Sequence, residues 1–165
     1  MLDSWLLWLE STAFSIWMRE SSSLLAFPGI LAVHTVGLAF VAGLNAALDL
    51  RLLGVATRIP AMAFDKFLPA MWMGLWLNVL SGIALLVGYP TKALTNPVFY
   101  LKLAFIAAAL VILRHVRRRL PIETVPSREL RMLAALSLAC WAGAIVGGRL
   151  LAYTYTRLTI IDTVS

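Results

Sequence analysis

The sequence predicts an all-α fold, an integral-membrane four-helix bundle with an N-terminal interfacial amphipathic helix. Three observations carry this reading. Of 165 residues, 61% are hydrophobic and 13% charged, with a mean hydropathy of +0.88; soluble domains of this size do not show that balance. Residues 24–48, 67–88, 97–113 and 130–151 form four apolar stretches, each close to or above the roughly 20 residues that cross a hydrocarbon core about 30 Å thick. Basic residues alternate between the connections. Of fourteen Lys and Arg, nine lie in the first-to-second and third-to-fourth connections: Arg51, Arg58, Lys66, Arg114, Arg117, Arg118, Arg119, Arg128 and Arg131. The positive-inside rule puts those connections in the cytoplasm and both termini outside. The net charge of +6 is thus matched to anionic lipid headgroups and not to nucleic acid.

Residues 1–23 are expected to lie on the membrane surface. A signal peptide needs a basic start and an unbroken apolar core, but Asp3 and Glu10 interrupt both. Ser4, Ser11, Ser15 and Arg19 recur at helical spacing, leaving Trp5, Trp8 and Trp17 on other faces. That is the pattern of a helix lying at headgroup depth on the outer leaflet, or of a docking surface for another protein. The domain plan is therefore an interfacial helix over 1–23, a four-span domain over 24–156 and a short outer tail over 157–165.

Helix ends carry local signals. Pro28 and Gly29 mark the first turn of span one or a kink in it. Asp65 is placed to cap span two, Asn96 followed by Pro97 to cap span three, and Ser127 to cap span four. Small residues suggest contact faces: Ala39, Gly43 and Ala47 in span one, Gly74 and Gly82 flanking Asn78 in span two, and Gly143 with Gly147 in span four. The single Cys140 excludes an internal disulfide and CxxC chemistry.

Polar groups inside spans are the functional signal. Counting about 1.5 Å per helical residue, His34 and Asn78 fall at similar depth, roughly 15 Å below the outer surface. Lys102 and Arg149 fall roughly 7–9 Å below it. One arrangement uses all four: a b-type haem with His34 as iron ligand, Asn78 beside it, and propionates held by Lys102 and Arg149. Simpler roles are also open. His34 can hydrogen-bond Asn78 or a carbonyl, Asn78 can join helices, and the two cations can reach up to headgroups. Asn45 and Asp49 continue the His34 face, which suits a bundle interior or a proton path. His115 lies about 12 Å deeper than His34, too far to share one haem, and reads as part of the cytoplasmic basic patch.

The stretches "HTVGLAFVAGLNAALDLRLLG", "MWMGLWLNVLSGIALLVGYP" and "NPVFYLKL" resemble an uncharacterised family of small bacterial four-helix inner-membrane proteins. That family (a domain of unknown function) is distantly like the membrane domain of copper-resistance D proteins. The resemblance covers roughly residues 20–120 and implies that His34, Gly37, Gly43, Arg51 and Lys102 belong to the recurring pattern. It implies no activity. A copper role would follow by analogy alone, and no Met or His cluster faces the outside to carry it.

The expectation is therefore a bacterial inner-membrane, multi-pass, cofactor-binding subunit for redox or electron transfer, with haem b held at His34. It would work beside a membrane or periplasmic partner, or as a homo-oligomer. A structural or assembly subunit and a small-solute or metal transporter are the alternatives. No nucleophile–base constellation argues for an enzyme with its own chemistry.

Overall fold

The computed structural model describes residues 2–120 and 125–154. The tail expected over 157–165 lies outside them. Among the described residues the elements are all helical: α1 (Leu2–Glu10), α2 (Ala13–Glu20), α3 (Phe27–Leu52), a 3₁₀ helix (Ala61–Phe67), α4 (Leu68–Gly88), α5 (Pro90–Leu94), α6 (Pro97–Arg119) and α7 (Arg128–Tyr153). Four of these segments, α3, α4 with its leading 3₁₀ turn, α6 and α7, are long and apolar enough to cross a membrane.

The long helices combine an apolar core with an apolar exterior and a few buried polar groups. Val33, Val36, Trp76, Leu80, Val111 and Val146 are exposed around the long helices, whereas Asn45, Asp49, Asn78, Ser81 and Ser137 are buried. A continuous apolar exterior of this kind is costly in water, and interior polar groups are what membrane bundles retain. Four helices long and apolar enough to span a bilayer, with this apolar exterior, are consistent with a multi-pass membrane protein.

Two antiparallel hairpins make the bundle. α3 packs along α4 and α6 along α7, α3 also touches α7, and α4 and α6 diverge. Glycines set the first pairing. A Cβ on Gly37 would stand 2.6 Å from the Asn78 amide nitrogen and 2.8 Å from the Gly74 oxygen, and one on Gly74 would meet Phe40 Cβ at 2.5 Å. Only hydrogens fit there. Gly43, by contrast, has nothing within 4 Å, and Ala39 is exposed. The Ala39–Gly43–Ala47 row is therefore not the contact face; Gly37, three residues after His34, takes that role. On α7, Gly143 accepts the Phe105 ring and Gly147 the Lys102 stem.

Helix ends mostly follow their local chemistry. Asn96 accepts from the Val98 amide at 2.9 Å with Pro97 behind it, and Ser127 accepts from Leu130 at 3.3 Å. α3 begins at Phe27 with Pro28 in its first turn, which places no kink there. It ends on Gly54, at φ +106°, with the Val55 amide on the Leu50 oxygen and the Gly54 amide on the Arg51 oxygen, the paired bonds of a Schellman stop. Asp65 does not cap α4. It sits within the 3₁₀ turn, α4 has no side-chain cap, and its carboxylate accepts from Arg117 Nη2 at 3.3 Å. α6 also continues six residues past the expected end at 113. Arg117, Arg118 and Arg119 occupy its last turn, where cations complement the negative end of the helix dipole.

The N-terminal segment is not one helix. Thr12 caps a second helix by accepting from Ser15 at 3.4 Å, and this breaks the chain into α1 and α2. Of the polar stripe Ser15 alone is buried, beside Leu6 and Met18, while Ser4, Ser11 and Arg19 are exposed. Ser15 donates to the Val87 oxygen at 2.5 Å, and Arg19 donates to the Gly88 oxygen at 3.2 Å and to the Glu10 oxygen at 2.6 Å. The bonds to Val87 and Gly88 satisfy carbonyls at the C-terminal end of α4, and the bond to Glu10 one at the end of α1, which no intrahelical amide can reach. Met18 is buried against Gly88, while Trp5, Trp8 and Trp17 stay exposed. Replacing Ser15 by Ala together with Arg19→Met is expected to raise opening of the α1–α2 segment about tenfold to a hundredfold, since net contributions of roughly 0.5–1.5 kcal/mol from each of the two side chains are lost. Faster proteolysis at the Ser11–Thr12 break, with the bundle still folded, is the expected readout. Unchanged protection would remove these contacts from the account.

Candidate functional site

Three of the polar residues singled out above meet at the end of the bundle formed by the start of α3 and the end of α4. His34 lies about two turns into α3. Its Nδ1 is 3.1 Å from the Asn78 backbone oxygen and 3.1 Å from Ser81 Oγ. A carbonyl only accepts, so this contact imposes the Nδ1–H tautomer and leaves the Nε2 lone pair as an acceptor, with Asn78 Nδ2 at 3.4 Å. The Asn78 side chain answers by donating Nδ2–H to the His34 backbone oxygen at 2.9 Å. That reach exists because Gly37 and Gly74 let the two backbones close. Gly82, one turn beyond Asn78, leaves the imidazole its room: a Cβ there would stand 3.3 Å from His34 Cε1.

The third residue arrives from the other hairpin. Lys102 Nζ lies 3.4 Å from His34 Nε2, so an ammonium N–H donates to that lone pair. Its stem runs over Gly147 and its head past Gly148, where two missing side chains make space for it. Imidazole and ammonium together form the polar end of a cavity of about 520 Å³. The walls are apolar, with Phe27, Leu31, Leu75, Ile106 and Leu151 among them. Exposed Val79, Ile83 and Leu103 border it where α4 and α6 diverge, so the cavity faces sideways, towards the surface that lipid would cover.

Arg149 is not in this group. Its neighbour Gly148 lines the cavity, but one residue of helix turns a side chain by about 100°, and Arg149 is exposed. Lys92, at the rim, donates to the Ala152 oxygen at 3.1 Å. The periodicity did not single out Ser81 or Gly82 as neighbours of His34. The available signal was a serine three residues after Asn78, hence on the same face.

Asn45 and Asp49 form a separate cluster. Asn45 Nδ2 donates to Ser137 Oγ at 2.9 Å and to Asp49 Oδ2 at 3.3 Å, which ties α3 to α7, whereas His34 ties α3 to α4. The stripe read along α3 therefore divides between two flanks. Asn45 Oδ1 and Arg117 Nε, both buried without a protein partner, belong to residues that line one cavity of about 20 Å³, room for about one water. His115 stands in the opposite half from His34, with Nε2 at 3.7 Å from Glu129.

Among the described residues, no three His, Cys, Asp or Glu side chains converge to hold a metal ion. A metal at His34 would have to bring its other ligands with it, as a macrocycle does. Comparison of the chain with known protein families, with curated proteins and with solved structures gives no match.

Proposed function

We propose that the chain is a small subunit of a bacterial inner membrane that holds a redox cofactor of the b-type haem class in the His34 cavity and serves a periplasmic electron-transfer partner. The observation that carries this is the fixed imidazole. Its Nδ1 is anchored to a backbone carbonyl, the outer-shell support typical of ligating histidines, and its Nε2 is aimed at an apolar cavity with a cation beside it. The positive-inside rule orients the bundle: the end carrying Arg51, Arg114, Arg118 and Arg131 is cytoplasmic, so the cavity occupies the periplasmic half. Trp5, Trp8 and Trp17 of the docked N-terminal helices would then sit at headgroup level.

A bound haem would supply one-electron transfer. The chain's own residues do the rest. His34 Nε2 would hold the iron, Asn78 and Ser81 would fix the ring, Lys102 would offer its ammonium to a propionate, and the apolar walls would exclude water. The test is a visible absorption spectrum of protein purified in mild detergent, with and without added hemin. His34→Ala should abolish the haem bands, Lys102→Met should weaken retention by about tenfold, the scale of one charge-assisted hydrogen bond, and His115→Ala should do neither. Wild-type protein that neither carries nor takes up haem would end this reading, as would unchanged bands in His34→Ala.

One observation favours a second reading. Both His34 ring nitrogens have partners within the chain, so His34, Asn78, Ser81 and Lys102 also make a self-contained lock across α3, α4 and α6. In a structural or assembly subunit that lock is the function, and His34→Ala would lower thermal stability of a colourless protein.

A further inference from the structure

The divergence of α4 and α6 also opens a second cleft, in the half opposite His34. It has a volume of about 520 Å³ and is bordered by Met71 and Trp72 from α4, and by Leu110, Val111, Arg114 and Arg118 from α6. Its chemistry changes along the helix axis. Leu110 and Val111 lie one turn deeper than Arg114, and Arg118 lies one turn further out, so apolar surface gives way to guanidinium over about 12 Å. Arg114 and Arg118 are four residues apart on one face of α6. Both are exposed, and neither has a carboxylate partner among the described residues. Arg117, between them, is held by Asp65. Trp72 is half exposed on the opposite lip, an indole placed where membrane proteins concentrate them.

Elsewhere at this end, positive charge is spread over loops and helix tips. Here two guanidiniums without a carboxylate partner among the described residues cap a groove between helices long enough to cross a membrane. We infer that this cleft is a binding site for one anionic phospholipid, with its phosphate between Arg114 and Arg118 and an acyl chain laid along Met71, Leu110 and Val111. The occupant follows from the gradient. A soluble anion would use the guanidiniums and leave the apolar floor uncovered; a zwitterionic lipid would cover the floor but place a second cation against two arginines. Only an amphiphile with net negative charge matches both ends. The site shares no residue with the His34 cavity, so neither proposal depends on the other.

The test uses the full chain, delipidated in a neutral mild detergent and followed by native mass spectrometry and by thermal denaturation. Phosphatidylglycerol, phosphatidylcholine and inorganic phosphate are titrated at constant ionic strength. Phosphatidylglycerol should bind saturably at one per chain and raise the melting temperature; phosphatidylcholine and phosphate should do neither. Replacing Arg114 and Arg118 together by Gln should weaken phosphatidylglycerol binding about tenfold or more, since each lost arginine near lipid is worth about 1 kcal/mol. The Arg114→Lys/Arg118→Lys pair, which keeps the charge, should recover most of it. Arg58→Gln with Arg131→Gln removes two charges from the same end outside the cleft and should leave binding within about twofold. Equal losses in the two Gln pairs would reduce the site to general surface charge. Binding of phosphate alone would make it an anion site, and an equal effect of phosphatidylcholine would remove the arginines from it. Any of these overturns the inference.

Discussion

Gly37→Ala is expected to destabilise the bundle severely, and Gly43→Ala, six residues along the same helix, to leave it intact or firmer. Both substitutions raise helix propensity by about 1 kcal/mol in α3, so propensity cannot separate them. Packing does. The methyl added at Gly37 would lie 2.6 Å from the Asn78 amide nitrogen and 2.8 Å from the Gly74 carbonyl oxygen. Both are backbone atoms of a neighbouring helix and cannot rotate aside. α3 and α4 must therefore separate along the whole contact, and overpacking of this kind costs about 1–3 kcal/mol or more. The separation also draws Asn78 Nδ2 away from the His34 oxygen, adding a lost buried hydrogen bond. At Gly43 the methyl meets nothing within 4 Å. Thermal denaturation in mild detergent measures the difference, with size-exclusion profiles as a check on assembly. Equal melting temperatures for the two variants would show that α3 and α4 do not meet at Gly37.

Asn45→Ala carries the second large effect. Its amide is 1% exposed and donates to Ser137 Oγ at 2.9 Å and to Asp49 Oδ2 at 3.3 Å. Truncation leaves both acceptors buried without that donor and opens space in the α3–α7 contact. Unsatisfied buried groups cost about 1–3 kcal/mol each, so a loss of roughly 2–4 kcal/mol is expected once relaxation is allowed for. Ser137→Ala removes one acceptor and should cost about half as much. The double variant should fall short of the sum of the singles, because the two share a bond. Thr35→Ala is the control. Its hydroxyl is exposed and bonds its own helix at Leu31, so a change within about 0.5 kcal/mol is expected. Asn45→Ala melting at the Thr35→Ala temperature would remove the cluster from the stability of the fold.

What could be read from the sequence was what depends on near neighbours in the chain. Apolar length gave the four long helices, and Asn96–Pro97 and Ser127 announced caps that bond amides two and three residues away. Depth counting put His34 and Asn78 level because rise per residue is a property of a single helix. What failed needed a partner's position. Gly43 and Gly37 are equally small; only the path of α4 decides which of them is covered. Arg149 and Gly148 share a depth and differ by one helical step of azimuth, which depth counting ignores. Asp65 had the chemistry of a cap, but a 3₁₀ turn and Arg117 claimed it first. The serine and arginine stripe of the N-terminal segment was legible as a stripe. Which of its members bond the bundle was not, because the Val87 and Gly88 carbonyls that take Ser15 and Arg19 lie some seventy residues away.

The two-hairpin plan bears on how the chain is made. Helical hairpins are natural units of membrane insertion, and here each has its own internal glycine contact: Gly37 on Gly74 in the first, Gly143 on Phe105 in the second. Each pair can therefore form as it leaves the ribosome, before the other exists. His34 and Lys102 belong to different hairpins, so their 3.4 Å contact is made only at the final joining. Assembly then has an end point written into the cavity: any molecule that touched both residues would bind the joined pair and neither half, and mass action would make it stabilise the last step.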